Sequence, residues 1–313
     1  MRTAFIEALT QAAKQDPRIW LLTGDLGYGV VEPFETLFGD RFINVGIAEQ
    51  NMVGVAAGLA MTGKIVFTYS IANFPTLRCL EQLRNDVCYH NLPVIAVAVG
   101  GGLAYGSLGY SHHAVEDLAI MRSLPNMHVA APGDPHETRA AVRALVELGK
   151  PGYLRIGKAN EPAIHVQEPN VLPNRFLVVR EGSDVTLITT GGVLGLGLEA
   201  AAELQTRGIS AEVLSLPFVA PLDATTVELI AQRTGHLVTI EEHVQGGLGG
   251  AIAEHLCNLG SDAKLRTCTL QLAKAPGVAG SQTYLRERMG LTTDNVVSAA
   301  IRLVQPSSGA VAA

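Results

Sequence analysis

This chain has little that is basic, aromatic or sulfur-bearing. Lys and Arg total 23 against 29 Asp and Glu, a net charge of −6 with no basic cluster, which argues against duplex nucleic acid as a partner. The four cysteines, Cys79, Cys88, Cys257 and Cys268, form no CxxC pair. That excludes a disulfide framework or a structural zinc site as the natural reading and suits a reducing compartment. No apolar run reaches membrane-spanning length, and the opening MRTAFIEALTQAAKQD reads as a polar amphipathic helix, not a signal peptide. A cytoplasmic protein without a membrane segment is expected. There is no internal repeat. Aromatics make up only 5% of the residues, so any place where two fall close together stands out.

What is present is aliphatic: 48% hydrophobic and 17% charged over 313 residues, enough chain for two cores. Buried strand patterns at Ile19–Leu22, Ile65–Thr68, Pro93–Val99, Met127–Ala131 and Tyr153–Ile156 alternate with helical patterns at Thr3–Gln15, Leu77–Asn91 and His136–Leu148. The proline-bearing stretch 161–178 reads as a linker. Beyond it, strands at Asp184–Thr189, Ala211–Leu216, Leu237–Glu242 and Leu265–Leu270 alternate with helices at Leu194–Arg207, Ala224–Arg233 and Gly249–Leu259. The expected fold class is α/β with two domains, 1–160 and 179–305, each built on a mostly parallel sheet, and a short tail at 306–313.

The chain is organised around Asn44–Ala60, NVGIAEQNMVGVAAGLA. Its one carboxylate, Glu49, is flanked by Val45, Ile47, Val53, Val55 and Leu59. A carboxylate in such a setting loses hydration, which disfavours its charged form. A plain helix start with Glu49 capping exposed amides is the simpler account. Against it, Gly54, Ala57 and Gly58 make a smooth stripe at i, i+3 and i+4 that suits a site between packed elements or subunits.

The Gly46-Ile47-Ala48-Glu49-Gln50 run resembles the pyrimidine-binding signature of the transketolase family, which uses thiamine diphosphate. The resemblance implies that Glu49 hydrogen-bonds the aminopyrimidine ring of that cofactor and promotes its imino tautomer, with Gly46 and Ile47 beside it. It also implies that Asp25, in the turn Gly24–Gly29, borders the cofactor. In the YSIANFPTLRCLEQ stretch, Tyr69 and Phe74 are the two aromatics that could stack on the pyrimidine, and Arg78 follows them. Core packing would equally explain both rings.

The glycine-loose loop Gly100–Asp117 carries His112 and His113 after a buried strand. Loops at the carboxyl edge of a parallel sheet form active clefts, whereas two adjacent histidines cannot build a tetrahedral zinc site alone. By resemblance His112 matches the family's loop histidine and would move a substrate proton, with His113 beside it. Leu108 stands where the family has a donor-reading aspartate. Arg155, at a strand end, matches a substrate-phosphate arginine, with Lys158 a weaker second. The segment Val238–Gly250 resembles the family's C-terminal signature and receives no catalytic role.

The family's Gly-Asp-Gly metal motif is missing, because Leu26 follows Gly24-Asp25 and Asn44 comes too early. No metal ligand is therefore expected in this chain. The resemblance implies the C-terminal half of a split enzyme, whose Mg2+ (or Ca2+) and cofactor diphosphate are held by a separate N-terminal subunit, the two chains assembling as α2β2. The expected activity is two-carbon ketol transfer between sugar phosphates. The alternatives are the beta subunit of a 2-oxo acid dehydrogenase decarboxylase, a 1-deoxyxylulose-5-phosphate synthase-like ligation, and a regulatory or scaffold subunit without catalysis.

Overall fold

A computed structural model of the chain describes residues 1–159 and 161–305; the expected tail 306–313 lies outside the described residues. The first half begins with α1 (Arg2–Gln15), β1 (Ile19–Thr23), α2 (Glu32–Leu37), β2 (Phe42–Asn44), α3 (Glu49–Met61) and β3 (Ile65–Ile71). The short α4 (Leu80–Gln82) follows, then β4 (Val94–Val99), α5 (Asp117–Arg122), β5 (His128–Ala130), α6 (Pro135–Leu148) and β6 (Gly152–Ile156). The second half holds β7 (Leu177–Arg180), β8 (Val185–Thr190), α7 (Leu194–Thr206), β9 (Ala211–Ser215), β10 (Phe218–Ala220) and α8 (Ala224–Thr234). It ends with β11 (His236–Glu241), α9 (Leu248–Leu259), β12 (Lys264–Cys268), α10 (Gln282–Arg288) and α11 (Thr293–Val304).

Two sheets result, ordered β10-β5-β6-β4-β3-β1-β2 and β12-β11-β8-β9-β7. Every pairing is parallel except β10 with β5 and β7 with β9, both antiparallel edges. Alternation along β3 explains how the first sheet is covered on both faces. Ile65, Phe67 and Tyr69 enter one core with Phe5 and Leu9 of α1 and Leu145 of α6. Val66 enters the other core with Met52, Val53 and Ala56 of α3. The second sheet buries Leu187, Val213 and Ile240 against α7 and α11. It buries Ile188, Leu214 and Leu237 against α8 and α9.

Three expectations are corrected. The helix expected at Leu77–Asn91 starts earlier, with π-helical turns at Phe74–Arg78 and Leu83–Cys88 on either side of α4. Pro75 sits in its first turn, where the missing amide costs no internal hydrogen bond. The linker is shorter than 161–178, because β7 begins at Leu177 and pairs with β9. What remains is strapped to α6: Asp134 accepts from the amides of Ile164 and His165, each at 2.8 Å. Last, β10 comes from the second half yet lies on the first sheet, with Phe218 fully buried in the first core. Burying one such ring stabilises by about 2–3 kcal/mol, so the edge is a firm tie between halves. Beyond Leu270, where the sequence pattern assigned nothing, α11 places Val296, Val297, Ala300 and Leu303 into the second core at helical spacing.

Candidate active site

The strands β1, β2, β3, β4 and β6 run parallel, so their carboxyl ends lie along one edge and launch five loops there. Glu49 opens α3 just after β2 and is buried, only 3% exposed. It does not cap amides, as the simpler account required. Its Oε2 instead accepts from Arg78 Nη1 at 2.8 Å, and Oε1 has no hydrogen-bond partner among the described residues. The arginine side chain is 47% exposed. The π-helical turn that follows β3 places Arg78 over the Phe74 ring, 4.6 Å from its centroid. Phe74 in turn meets the His112 imidazole edge-on, with centroids 5.3 Å apart. A carboxylate, a guanidinium, a phenyl ring and an imidazole thus form one continuous row.

The loop bearing His112 is fixed from both sides. Asn73 donates from Nδ2 to the Ser111 carbonyl at 2.7 Å, and Ser111 Oγ lies 3.0 Å from His112 Nδ1. That bond occupies Nδ1 and leaves Nε2 as the nitrogen for a ligand. Leu108 and Tyr110, also in this loop, are large apolar side chains left exposed. Cys79, beside Phe74, is buried and its thiol is pushed up to about 12 by desolvation, so no thiolate joins the row.

On the other flank Asp25 adopts a left-handed backbone, φ 56°, which Asp tolerates better than most residues. Asn44 holds it there. The Asn44 Oδ1 accepts from the amides of Asp25 and Gly46, each at 3.0 Å, and its Nδ2 donates to Asp25 Oδ1 at 3.1 Å. Hydrogen bonds from Asn44 and then Tyr28 hold the Asp25 carboxyl below the usual range. A Cβ on Gly24 would lie 3.5 Å from the Gly46 carbonyl and 3.7 Å from Glu49 Cγ, so the glycine turn closes directly on the carboxylate. Ile47, just before α3, is 79% exposed.

Three candidates do not reach this row. Tyr69 faces the opposite side of β3, 1% exposed and stacked on Phe5 at 5.7 Å, so its ring belongs to the core and Phe74 is the aromatic at the edge. His113 is buried, its Nε2 3.3 Å from the Gly106 carbonyl, and it shapes the loop from inside. Arg155 is 5% exposed: its Nε donates to Asp117 Oδ2 at 2.8 Å, and its Nη2 donates to the Ala114 and Glu242 carbonyls. Its donors fasten the two halves together. Lys158, two residues past β6, is exposed and sits 4.7 Å over the Tyr105 ring, which makes it the accessible cation at that strand end.

Sequence reasoning missed Asn44, Asn73, Tyr105 and Asp117. Asn44 lies two residues before the Gly46–Gln50 run, which was a usable signal; the others act through contacts 36 to 53 residues away and had none. Among the described residues no group of three or more His, Cys, Asp and Glu side chains could hold a metal ion. Nor, among them, is any helix long and apolar enough to cross a membrane.

With this geometry in place, comparison with known proteins is decisive. The family described as "Transketolase, pyrimidine binding domain" matches residues 1–162, and "Transketolase, C-terminal domain" matches residues 174–296. The chain belongs to the transketolase family. It is 32% identical over 307 residues to one of the apulose-4-phosphate transketolase subunits of Phocaeicola vulgatus, covering 97% of each chain. It is 37% identical over 304 residues to a 6-deoxy-6-sulfo-D-fructose transketolase subunit of a Clostridium species, covering 96% of this chain and 93% of that one. A solved structure described as a split gene transketolase, inactive beta4 tetramer, superposes with a TM-score of 0.88 at 37% identity over 97% of each chain. The transketolase relatives named as subunits thus share this chain's extent, from the pyrimidine-binding region through the C-terminal region.

Proposed function

We propose that this chain is the second subunit of a two-chain transketolase and carries the pyrimidine half of a thiamine diphosphate site. The observation that supports this most directly is the state of Glu49: buried, held on one oxygen by Arg78, with its second oxygen left to take a hydrogen bond from a ligand. An aminopyrimidine presents the ring nitrogen and amino group that such a carboxylate recognises. The residues present therefore fit the group.

Thiamine diphosphate, when bound, supplies an electron sink for a two-carbon unit cleaved from a ketose. The protein's part is binding and proton handling. Glu49 Oε1 would hydrogen-bond the pyrimidine ring, while Arg78 fixes the carboxylate's orientation. Phe74 offers a ring at the edge for stacking. His112 Nε2, with Nδ1 occupied by Ser111, moves a proton on the substrate's hydroxyl or carbonyl. Asp25 and Asn44 hold the glycine turn that would border the cofactor. Lys158 is the cation available for a substrate phosphate, in place of Arg155. The diphosphate and its Mg2+ (or Ca2+) are assigned to an N-terminal partner subunit in an α2β2 assembly, and exposed Ile47, Tyr28, Leu108 and Tyr110 rim the site where that partner would close it. The domains, by this reading, are 1–160 and 177–305, the second beginning with β7.

The test is ketol transfer by the complex that this chain forms with the partner it retains from its native lysate, using phosphorylated ketose donors. Wild-type complex should turn over, and Glu49→Ala should lose activity by about 10²-fold or more. Activity unchanged by Glu49→Ala would overturn the catalytic reading. Pyruvate turnover with carbon dioxide release would replace ketol transfer with a synthase-type reaction.

A further inference from the structure

The turn that carries Phe74 and Arg78 is tied to the far half of the molecule by a buried polar chain. Thr76, between those two residues, is fully buried and lies 3.0 Å from the Tyr153 hydroxyl. Tyr153 donates to Asp117 Oδ2 at 2.8 Å, and Arg155 Nε donates to the same oxygen at 2.8 Å. Arg155 Nη2 then reaches the Glu242 carbonyl at the end of β11, 2.9 Å away. Glu242's own carboxylate is gripped by Arg286 and Gln282 of α10. A Cβ on Gly102 would collide with that carboxylate, so first-half loop and second-half strand meet without a gap.

Counting protons fixes the direction of the chain. Burial first, and then the Asp117 charge, push the Tyr153 hydroxyl well above its ordinary value, so it keeps its single proton and gives it to Asp117. Tyr153 can then only accept from Thr76, whose single proton is divided between the Ala72 carbonyl at 2.6 Å and the Tyr153 hydroxyl at 3.0 Å. In the sequence Thr76 to Tyr153 to Asp117, met from the other side by Arg155, both bonds to the Asp117 oxygen have a fixed direction. Bonds of fixed direction in a low-dielectric interior hold the groups they join rigidly.

We infer that Tyr153 and Thr76 are positioning residues: through the Thr76–Tyr153–Asp117–Arg155 chain, the C-terminal half sets the placement of Phe74 and Arg78, and through Arg78 the orientation of Glu49. Neither Tyr153 nor Thr76 touches a ligand. The cofactor consequence rests on the function proposed above, whereas the positional one does not.

The test therefore has two arms on Tyr153→Phe, Thr76→Val and the double variant. In the full chain without cofactor, the His112 imidazole resonances report Phe74 placement, because the ring lies edge-on within ring-current range. Both single variants should shift these resonances, and the double variant should shift them no further than either single one, since both break one link. In the assembled complex, thiamine diphosphate Kd, by calorimetry, should rise about tenfold in each variant, again without additivity. Lower melting temperatures with unmoved His112 resonances and unchanged Kd would reduce the chain to a structural role and overturn the inference. Shifted resonances with no cofactor binding even in wild-type complex would uphold positioning and refute the cofactor assignment instead.

Discussion

Arg78 and Arg155 each meet a buried carboxylate at 2.8 Å, and the two pairs do opposite things. The Arg78 side chain is 47% exposed and its partner Glu49 keeps one oxygen without a hydrogen bond among the described residues. The Arg155 side chain is 5% exposed, its partner Asp117 is 1% exposed, and its donors also serve two backbone carbonyls from different halves of the chain. One pair is left open at the sheet edge where a ligand can use it. The other is buried in the seam and gives its Nε and Nη2 donors to architecture. Arg78 lies in the turn after β3 and Arg155 within β6 of the same sheet, so burial and partner saturation are what separate a site from a strut.

The difference predicts unequal costs. Asp117→Ala would strand a buried guanidinium, and the full chain should lose about 3–5 kcal/mol, measured as a lower denaturant midpoint at unchanged slope. Arg78→Met removes a half-exposed partner and should cost less than Asp117→Ala by the same measurement, while weakening thiamine diphosphate binding by the complex. Equal losses would erase the distinction between the two arginines.

A third ion pair sharpens the comparison at its weak end. His165 in the linker lies 2.8 Å from buried Glu137, and that hydrogen bond raises its pKa above the usual 6.5. A group whose folded value is raised contributes stability that is complete below the unfolded value and is lost as pH rises through the folded one. Wild type should therefore lose a small increment of stability as pH climbs through and beyond 6.5, and His165→Gln should show a flatter profile across that window. A profile unchanged by the substitution would remove the linker strap from the account.

Much of this was legible in the chain itself. Aliphatic runs bounded by glycine marked most of the strands, and the Gly46–Gln50 run singled out Glu49 without help from the fold. The choice between Tyr69 and Phe74 was also within reach. Ile65, Phe67 and Tyr69 alternate with Val66, Thr68 and Ser70, so Tyr69 shares the face of two core residues, and strand periodicity alone sends it inward. The role of Arg155 was not within reach. Its partners Asp117 and Glu242 lie 38 and 87 residues away, and no local pattern shows that a strand-end arginine will be buried between two domains. For the same reason β10 went unread: three residues, Phe218–Ala220, reach a sheet built otherwise from the first half.

The central claim is that this chain holds only the pyrimidine half of the cofactor site. Calorimetric titration of thiamine diphosphate with Mg2+ tests it most directly, first into this chain alone and then into its complex with the partner retained from the native lysate. The account predicts no tight binding by the chain alone and saturable binding once a second chain is present. Tight binding by the isolated chain would contradict it, because a diphosphate and metal site would then have to exist within these residues; no binding in either state would contradict the cofactor assignment itself.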